Sequence, residues 1–306
     1  MKKNIVKGSI FVALGASSYG LLATFVKMAY REGFTTAEVT LSQFGLGFAG
    51  LCILVLIRKP ESEPRPKTTG IKSIVKLIAA GTSLGLTSIF YYMAVQYIPV
   101  SVGIVLLMQT VWMGVILESI SRRKAPGPGK IVSVFIILAG TILATNLLGQ
   151  STSLPWAGLG WGMMAALSYT ASMHASSSLE LHFPPLKRSL YLILGGLIII
   201  SIIFHASLNQ AFSHAIFLRW GLLLSVFGTI LPPLLLTRGI PLTGVGLGAM
   251  IASVEIPVSV FMARLLLNEP VSYLQWMGVV LILCAVVGMN IGRSGPAQPA
   301  SKYLNI

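Results

Sequence analysis

The sequence alternates between long apolar segments and short polar connections. Ten apolar segments can be counted, and each approaches the roughly 20 residues that a helix needs to cross a bilayer core. A helix satisfies its own backbone hydrogen bonds, so it is the element such a segment adopts in lipid. The pattern predicts an all-α polytopic membrane protein with ten transmembrane helices, at residues 8–28, 38–57, 73–96, 99–119, 130–148, 155–178, 189–206, 218–237, 243–267 and 272–291.

The composition agrees with this class. Hydrophobic residues make up 55% of the 306 residues, charged residues only 10%, and the mean hydropathy is +0.83. These values exclude an ordinary soluble domain. The net charge of +14 does not indicate a nucleic-acid partner, because the basic residues lie in short connections beside the apolar segments. The partner we expect is the lipid bilayer, and the sequence does not fix an oligomeric state.

Lysine and arginine are distributed unevenly between the two ends of the predicted bundle. If the segments cross the bilayer alternately, 18 of the 22 basic residues lie at the end that holds both termini. The other four are Lys27, Arg31, Arg219 and Arg264. Basic residues are enriched in cytoplasmic connections. The pattern predicts a multi-pass protein of the bacterial inner membrane with both termini in the cytoplasm.

The two halves of the chain resemble each other. Pairs of similar residues recur at offsets that drift only slightly, as changes in connection length would produce. Each half has five segments, an odd number, so the second half would be inverted in the membrane. We therefore expect two five-helix inverted repeats, residues 1–150 and residues 151–306 with a short cytoplasmic tail. The matched pairs are Ser18-Tyr19 with Ser168-Tyr169, Gly45 with Gly195, Ile98-Pro99 with Ile240-Pro241, and Asn146 with Asn290.

The ninth segment carries an acid near its middle. Glu255 lies where an ionisable group costs a few kcal/mol, so such groups are rare in spanning helices. Pro257 follows two residues later and has no N–H, so the Ser253 carbonyl loses its helical partner. Two interpretations stay open: a structural acid bonded to a neighbouring helix, or a polar wall of a central pathway for a solute.

Other polar and aromatic side chains concentrate in six of the segments. Segments two, five, seven and ten are almost purely apolar or glycine-rich, as lipid-facing or scaffold helices would be. Gln109 and Trp112 are three residues apart and share a helix face, and Ser259 lies one turn from Glu255. We take three prolines as flexible points, Pro232, Pro233 and Pro257. The predicted lining of a substrate site is Tyr19, Tyr91, Gln109, Trp112, Trp161, Ser168, Tyr169, Ser172, Thr229, Glu255 and Ser259.

Three short motifs resemble a known family. They are Glu255-Ile256-Pro257, Leu267-Asn268-Glu269-Pro270 and Gln275-Trp276-Met277-Gly278. With the repeat and the topology, they make the chain similar to EamA-type members of the drug/metabolite transporter superfamily, and to its ten-span amino-acid exporters. The resemblance implies movement of small metabolites, often export of amino acids. It also implies a cavity lined by segments one, three, four, six, eight and nine.

These observations predict a secondary transporter that exports amino acids or similar small metabolites by alternating access, with a small molecule as substrate. Two alternatives stay open: export of cationic or aromatic drugs, and a membrane protein that does not transport. Proton coupling through Glu255 is a further hypothesis. No enzymatic motif, cofactor or metal site is expected, because the four histidines lack a partner one helical turn away and a neighbouring cysteine.

The basic-residue asymmetry makes a testable prediction about topology. A reporter fused after Ile306 that is active only in the periplasm should stay inactive, because 18 of the 22 basic residues hold that end in the cytoplasm. The same reporter placed after Gly33, between the first two segments, should be active. An active carboxy-terminal fusion would contradict the assignment.

Overall fold

The computed structural model describes residues 2–57, 70–98, 100–145, 155–208, 212–268 and 271–291. Within these ranges the chain forms helices and short connections, with no strand. Several sequence features lie outside the described residues: Pro99, Asn146, the boundary between the predicted repeats at 150/151, Glu269-Pro270 and the tail after Ile291.

Fourteen α-helices are formed in the described part of the chain, several of them joined end to end. A 3-10 turn, His214–Phe217, and a π-helical turn, Ser225–Ile230, lie among them. The helices are α1 (Lys2–Arg31), α2 (Thr36–Ile57), α3 (Ile71–Tyr97), α4 (Val100–Leu107), α5 (Thr110–Arg122), α6 (Pro128–Ala144), α7 (Trp156–Ser178), α8 (Pro185–Ile203), α9 (His205–Leu208), α10 (Trp220–Leu224), α11 (Leu231–Thr243), α12 (Val245–Ala252), α13 (Glu255–Leu266) and α14 (Tyr273–Ile291).

Seven helical stretches of the described chain are long and apolar enough to cross a membrane. They comprise α1, α2, α3, α8, the α4–α5 and α12–α13 pairs, and the stretch from α10 through α11. Helices α6 and α14 are apolar but shorter, and α7 is long but richer in glycine, alanine and serine. The all-α, multi-pass membrane class is therefore confirmed. The count of ten spans stays a prediction.

The two halves pack on each other in a reciprocal pattern. Helix α1, first in its half, packs on α11 and on α12–α13; helix α7, first in the second half, packs on α3 and on α4–α5. Helix α2 meets α8, α5 meets α12, and α6 meets α14, so these pairs join equivalent segments of the two halves. The packing thus has an approximate two-fold correspondence, although inversion of the second half relative to a membrane stays a prediction.

The fourth and ninth predicted segments are both broken near the middle. Turns at 108–109 and 253–254 separate α4 from α5 and α12 from α13. The sequence accounts for the second break, because Pro257 cannot bond the Ser253 carbonyl. That carbonyl is not left without a partner, however, since the Ile256 N–H donates to it over 3.1 Å. No proline explains the first break, which the sequence did not predict.

Two prolines reshape the eighth segment. The Leu231 N–H bonds the Val226 carbonyl five residues back, which gives the π-helical turn. The next bond of that kind would need an N–H from Pro232, which has none. Instead, the Ser18 hydroxyl of α1 donates to the Phe227 carbonyl over 2.8 Å. The carbonyl that Pro232 leaves without a backbone donor is therefore bonded by a side chain from the other half.

The boundary between the eighth and ninth segments differs from the prediction. Helix α11 continues to Thr243, and Pro241 lies inside it. Ile240-Pro241, which the repeat matches with Ile98-Pro99 before the fourth segment, therefore lies in the helix before the ninth segment and does not open it. The chain turns at Gly244 instead, where φ is 82°, a left-handed conformation that glycine adopts without steric cost.

Helices α3 and α8 cross with their backbones in contact. A Cβ built on Gly195 would overlap the Ile78 carbonyl oxygen, and one built on Gly81 would overlap the Leu192 carbonyl oxygen. Small residues at such crossings allow close van der Waals packing in lipid, where no hydrophobic effect drives helices together. Only glycine fits at these two positions.

This crossing predicts opposite results for two glycines at equivalent positions of the repeat. Gly195→Ala should lower the melting temperature in detergent by roughly 5 °C or more, because overpacking costs about 1–3 kcal/mol. Gly45→Ala should leave it unchanged or raise it, since nothing lies within 4 Å of a Cβ there. Thermal unfolding of the purified variants measures both, and equal melting temperatures would contradict the close packing.

Candidate functional site

A cavity of about 540 Å³ lies between the two halves. Helices α1, α2, α3, α4, α7, α8 and α13 contribute to its wall. It reaches the surface beside Thr35 and Gln96, both exposed, at the end of the bundle where α1 connects to α2. Its inner end is formed by Leu107, Tyr169 and Glu255. Its volume falls in the range of small-molecule sites.

The connections at the mouth are held together by two acids. The buried Glu38 carboxylate accepts bonds from the Thr35 N–H and hydroxyl, over 2.7 and 2.8 Å, which caps the start of α2. Its other oxygen accepts from the Ser213 N–H over 2.6 Å. Glu32 accepts from the indole N–H of Trp220 over 2.7 Å. These bonds fix the α1–α2 connection against the segment that leads into α10.

Five tyrosines supply most of the aromatic surface of the cavity. Tyr19 and Tyr169 meet edge to face, with ring centroids 6.3 Å apart. Tyr92 contacts both Tyr91, at 6.0 Å, and Tyr30, at 6.3 Å. Rings packed in this way are held rigidly, so they present fixed faces and hydroxyl groups to the cavity.

Glu255 occupies the first turn of α13, directly after the break at 253–254. Its Oε2 atom is buried and has no hydrogen-bond partner in the described part of the chain, and the same is true of the Tyr169 hydroxyl. Leaving a buried polar group unbonded costs about 1–3 kcal/mol. Glu255 and Tyr169 both line the inner end of the cavity, and each keeps an unused hydrogen-bonding atom there.

Close approach of α1 places Tyr19 near this acid. A Cβ on Gly20 would lie 2.7 Å from the Glu255 carbonyl oxygen, so only glycine allows the two helices to meet there. A basic residue, Lys27, lines the cavity nearer the mouth. It lies eight residues, or about 12 Å, further along α1 than Tyr19.

The opposite end of the bundle is packed. Buried apolar side chains from α1, α5, α7, α11 and α12 fill the space beyond Glu255, among them Val12, Val111 and Met173. Beyond them, the buried Glu118 carboxylate pairs with Lys130 at 2.6 Å and with Arg122 at 3.2 Å. The cavity is thus accessible from one end of the bundle only in this conformation.

Five of the residues expected to line a substrate site do line this cavity. They are Tyr19, Tyr91, Tyr169, Glu255 and Ser259. They come from α1, α3, α7 and α13, so the fold brings together residues that are up to 240 positions apart in the sequence.

The other six expected residues lie elsewhere. Gln109 and Trp112 share a helix face, as expected, but the Trp112 indole donates to the Gln109 side chain over 2.8 Å outside the cavity lining. Trp161 stacks on Phe90, with centroids 5.6 Å apart. The remaining three are Ser168, which bonds the Ser83 carbonyl of α3; Ser172, which bonds the Tyr169 carbonyl; and Thr229, which is buried in the π-helical turn.

Sequence reasoning missed the contributions of α2 and α8. Gln43 of α2 and Ile193 of α8 line the cavity, although both segments were expected to be lipid-facing or scaffold helices. A signal for α2 was available, because Glu38, Thr40, Ser42 and Gln43 crowd polar groups into its first half, and all are buried. Other missed lining residues are Lys27, Tyr30, Thr87, Ser88, Tyr92 and Gln96.

The model of the EamA-like transporter family matches residues 6–146 and again residues 156–291. The chain belongs to the EamA-like transporter family. No curated protein matches the chain. A solved structure titled "Crystal structure of protein" superposes with a TM-score of 0.72, over 93% of this chain and 96% of its own. Its sequence identity is 13%, so it shows a shared fold and nothing about the substrate.

Family membership confirms the coarser part of the sequence interpretation. The chain is a membrane transporter of the EamA-like family, which is not a family of enzymes. The substrate class, the specific likeness to amino-acid exporters and the roles of individual lining residues are not given by the match.

Accessibility of introduced cysteines tests the position of the cavity. In a Cys52→Ala, Cys284→Ala background, Ser259→Cys should react with a water-soluble thiol reagent, because the site lines the open cavity. Ser172→Cys should not react on that timescale, because the serine is only 4% exposed and bonded to the Tyr169 carbonyl. Labelling at comparable rates would show that the cavity has been assigned to the wrong face.

Proposed function

We propose that this transporter exports amino acids, or similar small metabolites that carry an ammonium group, across the bacterial inner membrane. The observation that carries the proposal is the buried, unpartnered carboxyl oxygen of Glu255 at the inner end of a tyrosine-lined cavity. The proposal includes ten spans in two inverted repeats, with both termini in the cytoplasm.

The chemistry of the lining supports an ammonium group on the substrate. A carboxylate forms a charge-assisted hydrogen bond with an ammonium ion, and such bonds are about twice as strong as neutral ones. The faces of Tyr19, Tyr91 and Tyr169 can also attract the cation through their ring quadrupoles. The wider part of the cavity, lined by Leu22, Val26 and other apolar groups, accommodates an apolar side chain.

The packing of the two halves is not fully reciprocal, and this difference supports alternating access. Helix α7 packs on α11 and α12 of its own half, but no comparable interface joins α1 to α3 or α4 among the described residues. The cavity lies between those three helices. If the halves exchanged roles, α1 would close on α3 and α4, while α7 would part from α11 and α12. The exchange would open the Glu118 end and close the other, around the broken helices at the centre.

Coupling to protons follows as part of the proposal. Glu255 can hold either a proton or a substrate ammonium group, but not both at full strength. Proton uptake from the open end would then accompany substrate release, and proton release to the cytoplasm would precede substrate binding. Pro257 and Pro232-Pro233, beside the breaks in their helices, are proposed as the points where the helices bend.

A second candidate function is export of aromatic organic cations. The specific observation in its favour is that this carboxyl shares the cavity with five tyrosine rings, which suits a cation without a carboxylate. A panel of labelled amino acids and organic cations, tested as efflux substrates in proteoliposomes, separates the two functions. Transport of neither class would contradict both, and would favour a family member with another substrate.

The carboxyl of Glu255 makes the central prediction. Glu255→Gln keeps the shape of the side chain and removes its charge. We expect efflux of an ammonium-bearing substrate to fall roughly 10- to 100-fold, as loss of a charge-assisted hydrogen bond of about 1.5–3 kcal/mol implies. We also expect the remaining transport to lose its pH dependence, because the proton-binding group is gone. Efflux from proteoliposomes at several internal and external pH values measures both.

Glu180→Gln is the matched control. Glu180 lies in the α7–α8 connection, outside the cavity, and pairs at the surface with Lys76 and His182. The same chemical change there should leave both rate and pH profile unaltered. Matching profiles and equal rates for Glu255→Gln and the wild type would reduce Glu255 to a packing residue and remove the basis of the proposal.

A further inference from the structure

A second pocket, of about 470 Å³, lies at the packed end of the bundle between α1, α8 and α11. Its wall contains three basic residues from three helices: Lys7, Arg188 and Arg238. Pro185, the first residue of α8, also lines it, so the positive end of that helix dipole adjoins the pocket.

None of the three basic residues has a carboxylate partner in the described part of the chain. The nearest acid in sequence to the pocket wall is Glu180, which pairs with Lys76 and His182. Three positive charges from separate helices therefore face one pocket without compensation. An anion bound between them would gain charge-assisted hydrogen bonds, above all with the buried Arg188.

Arg188 is the best defined of the three. Its side chain is buried, with 2% of the residue exposed. One terminal nitrogen donates over 3.0 Å to the Thr237 carbonyl, whose own helical partner would be Pro241, and the other donates to the Ser176 carbonyl. Its Nε is buried and has no partner. The guanidinium is thus fixed in place by neutral carbonyls. Among the described residues its charge has no carboxylate partner, and its Nε–H group donates no hydrogen bond.

The surroundings of the pocket distinguish a lipid from a soluble anion. Phe11 and Leu242 line its edge, and Val6, Ile10 and Leu14 form an exposed apolar stripe on α1, with one residue per turn. The stripe begins beside Lys7 and runs away from the pocket along α1. A phosphate held by the basic residues would therefore have a path for attached acyl chains.

We propose that this pocket binds the phosphate of an anionic phospholipid, with Arg188, Arg238 and Lys7 around the headgroup and the acyl chains along the apolar stripe of α1. Basic pockets between helices at the cytoplasmic surface are suited to such headgroups. The lipid would thus contact α1 and α11, which pack on each other, and also α8. Its binding does not depend on which substrate is transported.

The test is lipid binding by the full-length protein, measured by native mass spectrometry with phosphatidylglycerol and with phosphatidylcholine. The variant is Lys7→Gln with Arg238→Gln; Arg188 is left unchanged because it also bonds two backbone carbonyls. We expect the affinity for phosphatidylglycerol to fall on the order of 30-fold, about fivefold for each basic residue removed, and phosphatidylcholine binding to stay the same.

The matched control is Lys72→Gln with Lys187→Gln. This pair removes the same charge from exposed lysines outside the pocket, one of them next to Arg188 in the sequence. It should change the affinity for phosphatidylglycerol by less than about threefold. An equal loss in both pairs, or no preference of the wild type for phosphatidylglycerol over phosphatidylcholine, would overturn the proposal.

Competition with inorganic phosphate separates the two sources of the anion. Millimolar phosphate should not displace phosphatidylglycerol from the wild type, because it cannot use the apolar stripe. Displacement at phosphate concentrations equal to those of the lipid would overturn the lipid assignment and leave a site for a soluble phosphate. A melting temperature of the Lys7, Arg238 variant equal to that of its control would show that any loss of binding is not due to unfolding.

Discussion

The need to bond every backbone carbonyl inside a membrane bundle is the constraint on which this structure depends. Hydrocarbon offers no hydrogen bond, so a carbonyl released by proline must find a donor within the protein. Three of the carbonyls that prolines release in these helices have substitute donors, each of a different kind. Ser18 of α1 bonds Phe227, Arg188 of α8 bonds Thr237, and the Ile256 N–H bonds Ser253 within its own turn.

These substitute bonds also determine where chemistry can occur. The bond from Ser18 joins the two halves next to Tyr19, so the same segment of α1 that supports the π-helical turn also supplies a cavity wall. The turn at 253–254 places Glu255 in the first turn of a new helix rather than in the middle of a continuous one. A carboxyl is favourable at a helix start. The backbone irregularities and the cavity are therefore parts of one arrangement.

The reciprocal packing of the two halves explains why the cavity lies where it does. The interfaces of α1 with α11 and α12–α13 have counterparts in those of α7 with α3 and α4–α5, and the correspondence fails where α1 stands apart from α3 and α4. The second half has no such gap, because α7 contacts α11 and α12. The two halves have similar helices but pack them differently. This difference supports two related conformations of the protein, each with one open end. The charge cluster of Glu118, Lys130 and Arg122 lies at the end that is closed here.

The sequence by itself determined the helical membrane class, the repeat and the unusual position of Glu255. These follow from local properties: hydrophobic length, periodicity and the cost of an acid in lipid. Pro232 and Pro257 also predicted where helices deviate, since a missing N–H is visible in the sequence, whereas Pro241 lies inside α11. The break at 108–109 was not visible, because no residue there forbids a continuous helix.

Only the tertiary structure decided which polar residues meet. Gln109 and Trp112 share a face, as their spacing requires, but they bond each other instead of lining the cavity. Gln43 and Tyr92, from α2 and α3, do line it. Spacing along a helix fixes which side chains share a face, whereas the direction of that face depends on the rotation of the helix against its neighbours. That rotation is set by contacts such as Gly195 against Ile78, between residues far apart in the chain, so it could not be read from either segment alone.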